Sequence, residues 1–147
     1  MTLEEIRATI AGSSYDFLRN NEHLNGRIAF LCLGGSHAYG TNIEGSDLDL
    51  RGCAMNVANE LIGFQHFEQV VDSQTDTTVY AFNKLVHLLY NCNPNVIEML
   101  GCKPEHYFCM SEVGRQMIEN RKMFLSQRAS YTFGGYAFSQ LRRLENA

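Results

Sequence analysis

The sequence predicts an α+β fold: a small mixed or antiparallel sheet covered by helices, with a helical C-terminal part. Three observations predict it. Ile28 to Leu33 is a short apolar run closed by Gly34-Gly35, which reads as a buried strand. Asp47 to Met55 alternates, with Leu48 and Leu50 pointing one way and Asp47, Asp49 and Arg51 the other, the period of a strand. From Phe82 the period lengthens: Phe82, Leu85, Val86, Leu89 and Tyr90 recur at helical spacing, the apolar stripe of an amphipathic helix.

The remaining elements follow in order. Thr2-Leu3-Glu4-Glu5 is a helix start, with Thr2 as cap and Glu5 three residues on as in a capping box. Leu3, Ile6 and Ile10 then carry this helix toward Asn20-Asn21. Gly34 to Ser46 holds four glycines and two serines, a loop with room for one helical turn. Glu68 to Asp72 and Thr77 to Phe82 are two further strands. Asn93 suits a helix cap and Pro94 the first position behind it, with Gly101 as the stop. Ser111 to Phe124 and Gln127 to Glu145 read as helices, the second weakened by Gly134-Gly135. Helix, strand, glycine loop, strands, then helices describes a small sheet covered on one face. The expected division is a core over residues 1–102 and a C-terminal helical segment over 103–147. The stripe Phe133, Ala137, Leu141, Leu144 has no Gly or Pro after it to close the helix, so the segment reads either as a helix ending at a free terminus or as the start of a longer helical region.

Composition narrows the function classes. The chain has 147 residues, 45% hydrophobic and 19% charged, which excludes wholesale disorder and fibrous repeats. Sixteen acids against twelve Lys and Arg leave a net charge of −4. That weighs against a surface that grips nucleic acid everywhere, though not against a local basic patch. The longest apolar run, Ile28 to Leu33, is far below the roughly 20 residues that cross a bilayer. The N-terminus lacks the basic start and apolar stretch of a signal peptide. The five cysteines, Cys32, Cys53, Cys92, Cys102 and Cys109, are odd in number and form no Cys-x-x-Cys pair. They read as reduced residues of a cytoplasmic protein with no zinc site.

One segment carries chemistry: Leu33-Gly34-Gly35-Ser36, ten residues, then Asp47-Leu48-Asp49-Leu50-Arg51. Glycines at the end of a buried strand let backbone N–H groups approach an anion closely, and a helical turn beginning near Ser36 adds its positive end. Ser36 supplies a hydroxyl donor. Two aspartates at i and i+2 on a strand share one face, about 6.5–7 Å apart along the backbone. Hard divalent cations take such oxygen ligands, and Mg²⁺ binds through one or two carboxylates plus substrate phosphates. Alone, a Gly-Gly-Ser turn is most often just a turn, and an Asp-x-Asp most often a solvated strand face. Together, at this spacing, they describe metal-assisted phosphoryl or nucleotidyl transfer.

The pattern Gly35-Ser36, ten residues, Asp47-x-Asp49 resembles the DNA polymerase beta nucleotidyltransferase superfamily. The fuller run from Gly35 to Asn42, Ser46 to Gly52, and Asn93 to Leu100 is similar to one branch of it, the predicted bacterial and phage nucleotidyltransferases found beside RNA ligases. The resemblance implies that Gly35 and Ser36 hold the β- and γ-phosphates of a nucleoside triphosphate, and that Asp47 and Asp49 hold two Mg²⁺ ions. It also implies a third carboxylate on a neighbouring strand, completing one metal site and helping to deprotonate the attacking hydroxyl. Asp76 matches that position best and Asp72 second.

The function expected is therefore a Mg²⁺-dependent nucleotidyltransferase that moves a nucleoside monophosphate from a triphosphate to a hydroxyl and releases pyrophosphate. The acceptor stays open between an RNA end, a protein side chain and a small molecule. A rival is a catalytically inactive nucleotide-binding module with a regulatory, antitoxin-like role. A metal-dependent phosphohydrolase ranks last, because no His-Asp cluster at short spacing is present. Arg51, on the aspartate face, would meet a phosphate or restrain Asp49 as an ion pair. His37 reads as a solvent-facing loop residue, Tyr39 as a base-stacking or loop-pinning ring, and Glu98 as either a structural or a substrate contact. Arg128, Arg142 and Arg143 read as a solvated helix face rather than a basic stripe for nucleic acid.

Overall fold

The structure, a computed structural model, describes residues 1–146. Its centre is a five-stranded open sheet built from β1 (Ile28–Leu33), β2 (Leu50–Ala54), β3 (Gln69–Asp72), β4 (Thr77–Ala81) and β5 (Tyr107–Met110). The strand order is β3-β4-β2-β1-β5. β1 lies antiparallel to both β2 and β5, and β3 antiparallel to β4, whereas β2 and β4 run parallel. The sheet is thus mixed, as expected from the sequence.

Helices cover both faces rather than one. On the first face, α1 (Leu3–Ala11) and α2 (Phe17–Asn20) bring Ile6 and Leu18 against Leu31, Leu33, Leu50 and Val79. On the second, α5 (Phe82–Tyr90), α6 (Pro94–Met99) and α7 (Glu112–Glu119) bring Leu85, Leu89, Val96 and Met117 against Phe30, Cys32 and Cys53. The unbroken apolar run of β1 is the physical reason: a strand packed on both sides has no solvent face on which to place polar residues. Complete burial of such side chains stabilises by roughly 1.5–3 kcal/mol each.

Local sequence sets the element ends. Thr2 caps α1 through a capping box with Glu5, but the helix stops at Gly12 and a 3₁₀ turn over Ser13–Tyr15 follows. The first helix therefore does not reach Asn20 as one element; Gly12-Ser13-Ser14 breaks it, because glycine and serine favour caps and turns over helix interiors. Asn93 caps α6 by accepting from the Asn95 N–H, with Pro94 behind it. Ser111 caps α7 by accepting from the Gly114 N–H. The segment 103–147 is not helical throughout. Tyr107–Met110 forms β5, an edge strand, before α7, a 3₁₀ turn over Arg121–Phe124 and the long α8 (Arg128–Glu145). Helix α8 runs through Gly134-Gly135 without a break. All five cysteines are free, and no helix among the described residues is long and apolar enough to cross a membrane.

Candidate functional site

The sheet topology gathers three strand ends at one end of the central strands β1, β2 and β4. Leu33, the last residue of β1, pairs with Leu50, the first of β2, and Leu50 pairs with Thr77, the first of β4. The residues just outside those strands therefore meet. Gly34 N–H donates to the Asp49 carbonyl at 2.8 Å, and Leu50 N–H donates to the Asp76 carbonyl at 3.3 Å.

Asp47 and Asp49 do not lie inside a strand, as the alternation implied; they occupy the extended lead-in to β2, which begins at Leu50. The ladder stops short because this stretch has only the Gly34 turn, not a full strand, beside it. Asp49 is largely buried, with its side chain 18% exposed, and Asp47 is exposed. Asp76 precedes β4 in a left-handed conformation, φ 42°, which aspartate tolerates better than most residues. Its carboxyl lies against that of Asp49, so that a proton taken up by Asp49 is hydrogen-bonded to Asp76.

The electrostatics of this pair follow from burial and crowding. Burial, the hydrogen bond with Asp76 and the charge of Asp76 together push the Asp49 carboxyl up to about 6, against the pull of Arg51. The charge of Asp47 adds to the rise, so Asp47 is close enough to be felt. The same hydrogen bond, accepted by Asp76, holds the Asp76 carboxyl below its usual range, and Arg51 reinforces it. Of the two, Asp49 is the one that takes up a proton first as pH falls. Arg51 bridges the pair: its Nη2 lies 3.4 Å from Asp49 Oδ1 and 3.4 Å from Asp76 Oδ1, while Nη1 donates to the Asp76 and Leu50 carbonyls at 2.6 and 2.9 Å. The ion-pair reading of Arg51 is therefore realised.

A crowded carboxyl pair whose buried member has a raised proton affinity marks a place short of positive charge. The donor set, hard carboxylate oxygens beside a backbone turn, fits a divalent cation such as Mg²⁺. Asp47 is not drawn in tightly: among the described residues, no group of three or more His, Cys, Asp and Glu side chains converges on a metal position. Asp72 faces elsewhere. It pairs with Thr77 across the β3–β4 hairpin, its Oδ2 accepts from the Thr75 N–H and hydroxyl, and its charge is felt by Tyr15 on the other side of the sheet.

Opposite the carboxyls, Gly34 leads into α3 (Gly35–Tyr39), the helical turn anticipated in the glycine loop. Gly35 has φ +56°, and its Cα lies against Asp49. Ser36 follows in the first turn. Gly34, not Ser36, is the helix N-cap, with no side-chain cap hydrogen bond. His37 is buried rather than solvent-facing, its Nε2 3.3 Å from the Ser46 carbonyl. The short helix has an inward side, and His37 falls on it.

A cavity of about 660 Å³ opens beside this turn. Gly34, Gly35, Arg51, Tyr39, Glu98 and Tyr136 line it. The Tyr39 hydroxyl donates to the Glu98 carboxylate, joining α3 to α6. Arg128 does not reach this place; it lies over the Tyr90 ring and donates to Asn91 Oδ1 at 2.5 Å. Arg142 and Arg143 are exposed on α8.

At the opposite end of β1 and β2 a second polar cluster went unnoticed in the sequence. Glu60, on α4 (Ala58–Leu61), is bonded by Arg27, by His23 Nδ1 at 3.0 Å and by the Val57 N–H at 3.0 Å. Its members are scattered over residues 23 to 60 and share no spacing that sequence could reveal.

A family model described as RlaP, RNA repair pathway DNA polymerase beta family, matches residues 8–147. Comparison with curated proteins and with solved structures gives no match.

Proposed function

The chain belongs to the RNA repair pathway DNA polymerase beta family, a polymerase-beta-type nucleotidyltransferase family, and from that membership we propose that it transfers a nucleoside monophosphate from a nucleoside triphosphate to a hydroxyl acceptor. The observation that carries this reading is the Asp49–Asp76 carboxyl pair, bridged by Arg51 and set against the Gly34-Gly35 turn. Phosphate donors and metal-seeking carboxylates are thereby within one small site.

Asp47, Asp49 and Asp76 are the residues to hold Mg²⁺, two ions in the full reading. Mg²⁺ held by these carboxylates would supply neutralisation of charge on the transferred phosphate and on the leaving pyrophosphate. The chain's own groups do the rest. Backbone N–H groups at Gly35 and the Ser36 hydroxyl hold the β- and γ-phosphates and keep the leaving group in line. Arg51, which lines the cavity, meets further phosphate charge. Asp76 accepts the proton of the attacking hydroxyl. A bond forms between that oxygen and the α-phosphorus, and the bond from the α-phosphorus to the bridging oxygen breaks, releasing pyrophosphate.

Among an RNA end, a protein side chain and a small molecule, the family's RNA repair description favours an RNA end as acceptor. A reducing, cytoplasmic setting is part of this reading and agrees with five free cysteines. A nucleotide-binding module without turnover is the second reading, favoured by the outlying position of Asp47. Pyrophosphate release from each triphosphate, with Mg²⁺ and a panel of RNA ends, protein and small hydroxyl acceptors, tests both. Release with one acceptor class supports transfer. Tight triphosphate binding with no release across the panel supports the second reading.

A further inference from the structure

We propose that the cavity beside the phosphate turn selects guanine nucleotides, with Glu98 reading the base. The inference rests on the nucleotidyl-transfer reading and goes one step past it, from a triphosphate in general to one base.

The cavity begins where the phosphates would end. Gly35 lines it, so a ligand whose phosphates lie on the turn has its nucleoside in this space. Its volume of about 660 Å³ is within the roughly 300–1,000 Å³ typical of small-molecule sites. Tyr39 from α3 and Tyr136 from α8 both line it, and both are exposed. Aromatic rings in an open cavity offer faces on which any base stacks, without discrimination.

Discrimination needs polar groups, and these come from α6 and the chain just after it. Asn95 and Glu98 stand three residues apart, on one face of the helix, and both line the cavity together with Lys103. Glu98 is exposed, yet its carboxylate is not free to swing, because the Tyr39 hydroxyl donates to Oε2. An exposed carboxylate held in place at a cavity wall is an oriented acceptor. It retains unused lone pairs after that one bond, and it donates nothing.

Only one common base matches an acceptor-only group along its pairing edge. Guanine presents two adjacent donors, N1–H and the 2-amino group. Adenine and cytosine present one amino donor beside a ring nitrogen lone pair, which a carboxylate repels. Uracil presents a single N–H between two carbonyls. The guanine O6 needs a donor, and Lys103 and Asn95, which also line the cavity, carry an ammonium and an amide. A polar site built for one hydrogen-bond pattern rejects a base that leaves it unpaired.

Calorimetric titration of the full chain with Mg²⁺ and non-hydrolysable analogues of GTP, ITP and ATP tests this. ITP lacks the 2-amino group and so removes one of the two donors. The expected order of affinity is GTP, then ITP, then ATP, with GTP ahead of ATP by at least about tenfold. Glu98→Gln can still accept from Tyr39 but offers a donor beside its acceptor, the complement of adenine. It should narrow or reverse the GTP-to-ATP ratio while the variant melts as the wild type does. Equal affinity of the wild type for all three analogues overturns the inference and leaves nucleotidyl transfer standing, as does an unchanged ratio in Glu98→Gln. Failure to bind any of the three overturns both. The ranking on the wild type decides even if the variant does not fold.

Discussion

Asp49 lies so close to Gly35 that a Cβ on Gly35 would fall 1.8 Å from Asp49 Oδ2. The carboxyl occupies the space that any other residue at this position would need for its side chain. Gly35 also has φ +56°, a left-handed conformation that costs an L-residue roughly 1–2 kcal/mol. Gly35→Ala should therefore push Asp49 out of place, with a loss of turnover of about a hundredfold or more. Gly40→Ala is the control. Gly40 has φ +70° with nothing within 4 Å of a Cβ, so it should lose only the backbone cost of roughly 1–2 kcal/mol of stability and keep its activity. Urea denaturation beside a pyrophosphate-release assay separates the two.

Asp47→Asn and Asp49→Asn should each abolish Mg²⁺-dependent turnover and leave the fold intact. Each removes a like charge from a crowded group, so stability at pH 7 should be unchanged or slightly raised, by about 1 kcal/mol at most because solvent screens the open side of the site. Thermal melts with the turnover assay check both halves. Full activity in either variant removes that aspartate from the reaction.

Ser36→Ala should weaken triphosphate binding by roughly one to two powers of ten, because a hydrogen bond to a charged group contributes about 1.5–3 kcal/mol. Metal binding through the aspartates should survive. Ser36 is not the cap of α3, so a stability loss of the size of a lost cap is not expected. Unchanged affinity in a calorimetric titration would mean that the phosphates bind elsewhere.

Glu60 gives the protein an acid-sensitive joint. Burial alone would raise its carboxyl, but Arg27, the Val57 N–H and His23 outweigh burial and bring it down to about 2. A depressed folded value means that the unfolded chain binds the proton more readily. The stability contributed is present above the ordinary glutamate range, near 4.5, and is lost as pH falls toward about 2. Its size is of order 3 kcal/mol. Denaturant unfolding of wild type and Glu60→Gln across pH 2 to 7 should give curves far apart at neutral pH that converge in acid. Parallel curves would show that the Arg27–Glu60 contact contributes no pH-dependent stability.

The sequence made β1, β2 and the glycine turn legible, because an apolar run, an alternation and a cluster of glycines are all local signals. The cover on both faces was also legible in principle, in a β1 that lacks any polar position. Which aspartate would touch Asp49 was not. That depends on β4 entering parallel to β2, so that Asp76 arrives beside Asp49, and on the hairpin register that turns Asp72 toward Thr75. No spacing within one strand encodes a partner on another. β5 was hidden for a different reason: four residues between a 3₁₀ turn and a helix cap are too short to show a period. The burial of His37 was masked because glycine-rich sequence around a short helix reads as open loop.

Parallel pairing also governs how the molecule comes together. β1 and β2 can pair through the single loop that carries α3, and Gly35 and Asp49 then already face each other. Asp76 arrives only when β4 docks, and a parallel strand cannot be reached by a tight turn. The entropy of closing the segment from Met55 to Asp76 therefore falls on one late step. Native-state opening should run the same route in reverse. An excursion that lifts the β3–β4 hairpin from β2 carries Asp76 away while β1, β2 and β5 stay paired, so amide exchange at Thr78 and Tyr80 reports how often the site comes apart.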